Sequence, residues 1–382
     1  MHALRRLVVV VVAALALVLV GTPAQAVEYS TVPDPATSWK SNGRVYDVMA
    51  VGDRIYIAGE FSRVRSLTTG RWSDRERLAA FDRTTGALLP WNPGADGTVR
   101  ALASGANGVV YAGGLFTTAG GAPNSRLAAF DASGASLSTF VASVNGEVRD
   151  LAFDGGALYL SGGFGTVNGS PRRAVAKVDG VTGAVDRAFN ARVGSGRIHA
   201  LKVEGNGLVI GGSFVGLAGS TTPQFLAVVA LDTGVWDGTA FSFPTGCDTC
   251  TVFDVDTNTE GAGTFVYAAV GGGGGRVVKW SLSSGQRLWV RSGDGDVQAI
   301  DVFDQTVYAG GHFGPTFTGQ PRHQLAVLTT AGVLLPMSVP FTGNDKPGLW
   351  AVEADARGLL LGGGFQGIEG SEAATFAVLP AR

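Results

Sequence analysis

The sequence predicts an all-β chain, and three observations carry that expectation. Its 382 residues include 58 glycines, about twice average usage. They follow no Gly-x-y period, so they mark turns. No segment beyond residue 27 sustains a 3.6-residue apolar period; short apolar stretches alternate instead with Gly, Asn and Asp turns. Finally, one phrase returns along the chain: an apolar strand followed by Gly-Gly-x-Phe or a close variant.

The first 26 residues stand apart. Arg5 and Arg6 precede the uninterrupted apolar run Leu7 to Val20, and Gly21 and Pro23 then break it. Ala24-Gln25-Ala26 places small residues where a leader peptidase cuts. This is the pattern of a secretory signal peptide cleaved after Ala26. The run is short for a membrane span of about 20 residues. The exported chain, residues 27–382, loses two arginines and keeps all its acids, so its charge is more negative than the formal −2 of the whole. A secreted product with no membrane attachment after cleavage is expected.

The repeat sets the architecture. The phrase appears as IYIAGEF ending at Phe61, VYAGGLF at Phe116, LYLSGGF at Phe164, LVIGGSF at Phe214, VYAGGHF at Phe313 and LLLGGGF at Phe365. The steps are 55, 48, 50, 99 and 52 residues, and the double step holds a degenerate copy, FVYAAVGGGGG at 265–275, without the Phe. Seven copies nearly fill residues 27–382.

Each copy reads as four short strands. In the second copy these are Val99 to Ala103, Val109 to Phe116, Arg126 to Asp131 and Leu137 to Val141. A lone four-stranded sheet cannot cover both faces, whereas sheets stacked around an axis bury both. The expected fold is therefore a seven-bladed β-propeller of four-stranded antiparallel blades, one domain over 27–382. The last copy stops inside its third strand, at Thr375 to Leu379. Residues 36–40, ending in Ser38-Trp39-Lys40, match fourth-strand segments such as Leu89-Pro90-Trp91 and are expected to close the last blade.

The phrase Val110 to Gly121, then Arg126 to Asp131, resembles the delta-60 repeat family, and residues 78–102 fit it too. The likeness covers nearly all of the exported chain. It implies a secreted or surface bacterial β-propeller, and no activity comes with it.

Composition excludes several functions. A near-neutral balance of 29 basic and 31 acidic residues argues against nucleic acid as a partner. Four histidines and two cysteines leave little material for a metal site, and none is expected. The Gly-Gly pairs lack the following helix that a phosphate loop needs, so they read as a bulge or close backbone approach, with the Phe in the core. Asp82-Arg83-Thr84-Thr85-Gly86 and Asp179 to Gly183 resemble a quinoprotein motif, yet turn chemistry accounts for both, and no cofactor is expected. Cys247-Asp248-Thr249-Cys250 in an exported chain reads as a local disulfide pinning the loop into the divergent fifth copy.

Two places carry candidate binding chemistry. The second position of each first strand holds Tyr46, Arg100, Arg149, His199, Phe253, Gln298 and Trp350. The next position alternates Asp and Ala, with Asp47, Asp150 and Asp254 the acids. Innermost strands line a propeller's channel. A channel-mouth ligand site is therefore expected at Tyr46, Arg100, Arg149, His199, Asp150, Asp254 and Trp350. The segment 62–77, read as a loop, offers Arg71, Trp72 and Arg75 as a contact surface.

No nucleophile motif accompanies these groups. The expectation is a monomeric, non-catalytic binding or interaction scaffold whose partner is a protein or glycan outside the cell. The alternative is an extracellular propeller enzyme, a glycan lyase or hydrolase or a quinone-dependent oxidoreductase, with its site at the channel mouth. Perturbed acid and base groups clustered there would favour the enzyme.

Overall fold

The computed structural model describes residues 27–343 and 346–382; the expected leader, residues 1–26, lies outside the described residues. Among the described residues there is no α-helix, only one 3-10 turn at Ala106–Gly108. Seven antiparallel sheets have three strands or more. Their first strands are Val45–Val51, Val99–Ser104, Glu147–Asp154, Ile198–Glu204, Thr251–Glu260, Val297–Phe303 and Leu349–Asp355. Each first strand contacts the next in chain order, and Leu349–Asp355 contacts Val45–Val51.

The third strands show why stacking is obligatory. Leu127–Phe130 is buried at every position, as both faces of its sheet are covered. The Phe ending each phrase sits in the hydrophobic core of its own sheet: Phe61, Phe116, Phe214 and Phe313 are fully buried. In the fifth sheet, where the phrase has no Phe, the corresponding core cluster contains Cys247 and Cys250. Their sulfurs are at disulfide distance, with Cα atoms 4.9 Å apart, just before the strand Thr251–Glu260.

Among the described residues, a copy supplies its own fourth strand as a regular strand in the fifth sheet alone, at Arg287–Ser292. In five sheets it shrinks to one bridge, such as Phe81↔Leu88, Phe130↔Ser136 and Leu328↔Leu334. The expected strand Leu137 to Val141 is thus a single bridge at Ser136. Pro90 and Pro336 stand in two of these segments and cannot donate to a ladder.

The seventh sheet takes its fourth strand from the N-terminal side, at Trp39–Ser41 rather than 36–40. Trp39 pairs with Phe376 and Lys40 with Thr375. Upstream, the Asp34 amide donates to Val378 O at 3.1 Å, and the Val378 amide to Ser38 Oγ at 2.9 Å. The other edge of Trp39–Ser41 pairs with Arg63–Ser66, which pairs with Trp72–Asp74. The segment expected as a polar loop is therefore a hairpin that extends the seventh sheet to six strands. Shorter hairpins follow the Gly-Gly-x-Phe phrase elsewhere, as at Thr166–Val167 with Ser170–Pro171.

Candidate functional site: a central pocket ringed by bulged residues

Every first strand carries a β-bulge at the same repeat position. In the first sheet Val45 pairs with Gly59 and Asp47 with Ala58, so Tyr46 has no partner residue. The register slips likewise at Arg100, Arg149, His199, Phe253, Gln298 and Trp350. A bulge turns its extra side chain away from the alternating pattern. Here all seven side chains converge on one pocket of about 140 Å³, floored by Asp47, Asp150 and Asp254.

The glycine pairs make this possible. A Cβ on Gly114 would lie 2.1 Å from Thr98 O, and one on Gly212 would lie 2.2 Å from Arg197 O. The second glycine of the pair thus admits the carbonyl just before the bulge. The first glycine admits the neighbouring sheet, since a Cβ on Gly113 would lie 2.5 Å from Val148 Cγ1. The bulge expected of these glycines lies on the strand opposite them.

Around the pocket the side chains form a chain of contacts. The Arg100 guanidinium lies 3.9 Å from the centre of the Tyr46 ring, and Trp350 meets Tyr46 edge-on at 5.6 Å. Tyr46 donates to Glu60 Oε2 at 2.9 Å. Arg100 and Arg149 share one carboxylate, Glu147, at 3.1 and 2.9 Å. Two guanidiniums thus face one carboxylate. Burial pulls the Arg149 guanidinium below its usual value, against the attraction of Glu147 and with repulsion from Arg100 and Arg197. His199 Nε2 sits 3.3 Å from Ser213 Oγ. Burial, then Arg149 and Arg197, push the His199 imidazole down to about 3, so it is neutral at physiological pH. His199 Nδ1 and Trp350 Nε1 are buried without a hydrogen-bond partner in the structure.

The acids beneath have a structural task. Asp47 Oδ2 accepts from the Leu102 amide at 2.6 Å, Asp150 Oδ2 from Leu201 at 2.6 Å, and Asp254 Oδ2 from Ile300 at 2.8 Å. Each carboxylate reaches the first strand of the following sheet. Where the preceding sheet has alanine, at Ala101 and Ala200, the waiting amide is taken from its own side: Leu151 donates to Asp150 Oδ1 and Val255 to Asp254 Oδ1. This accounts for the alanines at Ala101 and Ala200. A deeper layer repeats the device, with Asp256 on Val302, Asp301 on Ala354 and Glu353 on Ala50. Lys202 pairs with Asp256 in this layer. Burial outweighs the amide donors and pushes Asp150 up to about 6 and Asp254 to about 7.

The structure thus brings together all seven expected channel residues. Sequence reasoning missed Glu147, which holds both arginines, and the Lys202, Asp256, Asp301 and Glu353 layer. The signal for that layer was a polar residue two positions past the Asp/Ala position in the last four copies, against Met49, Ala103 and Ala152 in the first three. Among the described residues no three His, Cys, Asp or Glu side chains converge as metal ligands.

The hairpin surface is smaller than expected. Arg71 and Trp72 are exposed, with Arg63 lying 5.4 Å over the Trp72 ring. Arg75 is instead turned inward, donating to Leu89 O at 2.9 Å, so it ties the hairpin to the first sheet and leaves the contact surface. The quinoprotein-like motifs are turns: Asp82 Oδ1 accepts from the Thr84 and Thr85 amides, and Asp179 Oδ1 from Val181 and Thr182.

No family model and no curated protein matches the chain. Solved structures do. The WD40 β-propeller domain of Doa1 aligns with a TM-score of 0.57 at 12% identity, covering 92% of this chain and 96% of that one. The computationally designed Ika8 protein aligns at 0.54 and 15% identity, covering 90% and 99%. The fold is that of an all-β protein of the β-propeller class. No helix among the described residues is long and apolar enough to cross a membrane.

Proposed function

We propose that this chain is an exported, seven-bladed β-propeller of the delta-60 repeat type that acts as a non-catalytic binding scaffold. Its central pocket receives an acidic group of an extracellular protein or glycan. The cyclic contact order of the first strands and the pairing of Trp39–Ser41 with Thr375–Pro380 support the seven-blade reading. The carrying observation for function is a cluster of N–H donors in a small pocket, beside Asp150 and Asp254 whose oxygens backbone amides already occupy. Arg100 and Arg149 share Glu147, and two ring nitrogens without a partner, Trp350 Nε1 and His199 Nδ1, lie beside them. A carboxylate of an acidic peptide or a uronate offers further acceptors to these donors.

The test is a titration of the purified protein with glucuronate oligosaccharides and acidic peptides, wild type against Arg149→Ala. Binding weakened at least tenfold in the variant, with the melting temperature kept, supports the reading. Equal affinity of both proteins refutes it.

One observation favours the enzyme reading: Asp150 and Asp254 are pushed up towards neutrality beside a neutral imidazole, as acid–base groups often are. Against it, both oxygens of each acid already accept backbone amides. Turnover of any glycan by wild type, lost in Asp254→Asn, establishes the enzyme instead.

A further inference from the structure

One repeat position rims the central pocket. The residue before the buried aliphatic that precedes each bulge is charged in four copies: Arg44, Glu147, Arg197 and Asp296. In three of these the side chain reaches back over the preceding sheet. A Cβ on Gly364 would lie 3.3 Å from Arg44 Cγ, one on Gly271 would lie 2.7 Å from Asp296 Cγ, and one on Gly163 would lie 3.3 Å from Arg197 Nε. Arg197 Cδ and Cγ pass the same point at 3.4 and 3.7 Å, so the arginine stem lies along the third sheet. Glycine at 163 leaves that room, where other copies carry Glu60, Leu115, Ser213 or His312.

Three of the four charges are answered within the protein. Arg44 Nε lies 3.5 Å from Glu60 Oε1, and Glu147 holds Arg100 and Arg149. Asp296 Oδ1 accepts from the Gly272 amide at 3.0 Å, and His312 Nε2 lies 3.8 Å from its other oxygen. Arg197 is exposed and, among the described residues, has neither a hydrogen bond nor an ion pair. It also stands towards like charge, since its guanidinium opposes a proton on both Arg149 and His199. The carboxylate at Arg149, Glu147, is already shared with Arg100. An anion placed between Arg149 and Arg197 relieves this repulsion and meets two planar donor forks.

We infer that the ligand of the central pocket is a chain of uronate sugars, with one carboxylate at Arg149 and a later one received on the rim by Arg197. The chain leaves the pocket across Gly163. A uronate carries hydroxyls beside its carboxylate, as Trp350 Nε1 and His199 Nδ1 stand beside Arg149. The indole N–H takes an acceptor, and a hydroxyl can serve a neutral imidazole nitrogen as donor or acceptor. An aspartate or glutamate side chain brings a carboxylate alone. The inference rests on the proposal that the pocket takes an acidic group.

Calorimetric titration of the purified protein with glucuronate and with its 1,4-linked trisaccharide tests it. The trisaccharide should bind at least about tenfold more tightly, as one added charge-assisted contact implies. Arg197→Ala should weaken the trisaccharide by about the same factor and the monosaccharide far less, with the melting temperature kept. Arg197→Glu should weaken the trisaccharide further. If Arg149→Ala weakens both sugars, yet the trisaccharide is no tighter than the monosaccharide or binds undiminished to Arg197→Ala, this inference falls and the pocket reading stands. If neither sugar binds, the inference is overturned, and acidic peptides titrated alongside decide the pocket reading. A peptide of three aspartates that binds more tightly than the trisaccharide overturns the assignment to a glycan.

Discussion

The amide of Leu201 donates to Asp150 Oδ2 at 2.6 Å, so a carboxylate of the third sheet holds the backbone of the fourth. The other oxygen of Asp150 accepts from Leu151 in its own strand at 2.7 Å. One half-buried side chain thereby satisfies two amides on adjacent sheets. Removing it strands both, at about 1–3 kcal/mol each. Asp150→Ala should lower stability by about 2–5 kcal/mol, read as a lower denaturant midpoint with an unchanged slope. Asp150→Asn keeps one acceptor and should lose roughly half as much. Equal, near-zero losses for both would show that the contact is dispensable.

These acids also set the response to pH. Burial pushes Asp150 up to about 6, and Asp254 and Glu353 up to about 7, from ordinary values near 4. Each therefore binds a proton more tightly in the folded chain than in the unfolded chain. Stability from these groups is fully present below the unfolded values and is lost as pH rises through about 4 to 7. The turn acids Asp82, Asp131 and Asp179 act oppositely: turn amides and hydroxyls hold them below the usual range, so their contribution is lost as the solution becomes acidic. The melting temperature should peak near pH 5 and decline towards pH 8. Glu353→Gln should flatten the decline. A melting temperature that rises from pH 5 to 8 would contradict this assignment.

Much of the site was legible because the repeat aligns equivalent residues. Tyr46, Arg100, Arg149, His199 and Trp350 occupy one position of the repeat, and one position of a repeat means one place in the fold. The glycine pairs announced close approach, though not that the bulge would fall on the facing strand. What stayed hidden are the partners across sheets. Nothing in the local sequence tells that Glu147 will hold both Arg100 and Arg149, or that Asp47 will cap Leu102, about fifty residues on. Arg75 was misread because its hairpin looks like a polar loop in sequence, while its guanidinium reaches Leu89 O. The fourth strands were over-read, since turn residues and prolines leave room for only one bridge.

Two glycines separate backbone strain from steric fit. Gly52 and Gly86 both have positive φ, +57° and +67°. A Cβ on Gly52 meets nothing within 4 Å, whereas one on Gly86 would lie 1.8 Å from Ala36 O. Gly52→Ala should cost only the left-handed conformation, about 1–2 kcal/mol. Gly86→Ala adds a clash with the N-terminal segment and disturbs the carbonyl that accepts Trp39 Nε1 at 2.9 Å. Its loss should exceed that of Gly52→Ala clearly in a chemical melt; equal losses would mean that residues 36–39 are not seated on this turn.

The same segment decides whether the seventh sheet has a free edge. Trp39 packs on Phe81 with ring centres 5.0 Å apart, and Phe81 stacks on Phe376 at 5.5 Å. One indole thus joins the first sheet to the last. Trp39→Ala removes a large buried aromatic and should cost about 3–5 kcal/mol. Deleting residues 27–41 goes further. It leaves the strand Thr375–Pro380 without its partner Trp39–Ser41 and takes the support from Arg63–Ser66. An unpaired strand edge is a template for association. The truncated chain should therefore elute as larger species than the intact chain in size exclusion, and a synthetic peptide of residues 27–41 added in trans should restore the elution of the intact chain. A truncated chain that elutes as the intact chain does, with an unchanged melting temperature, would show that the seventh sheet does not depend on this strand.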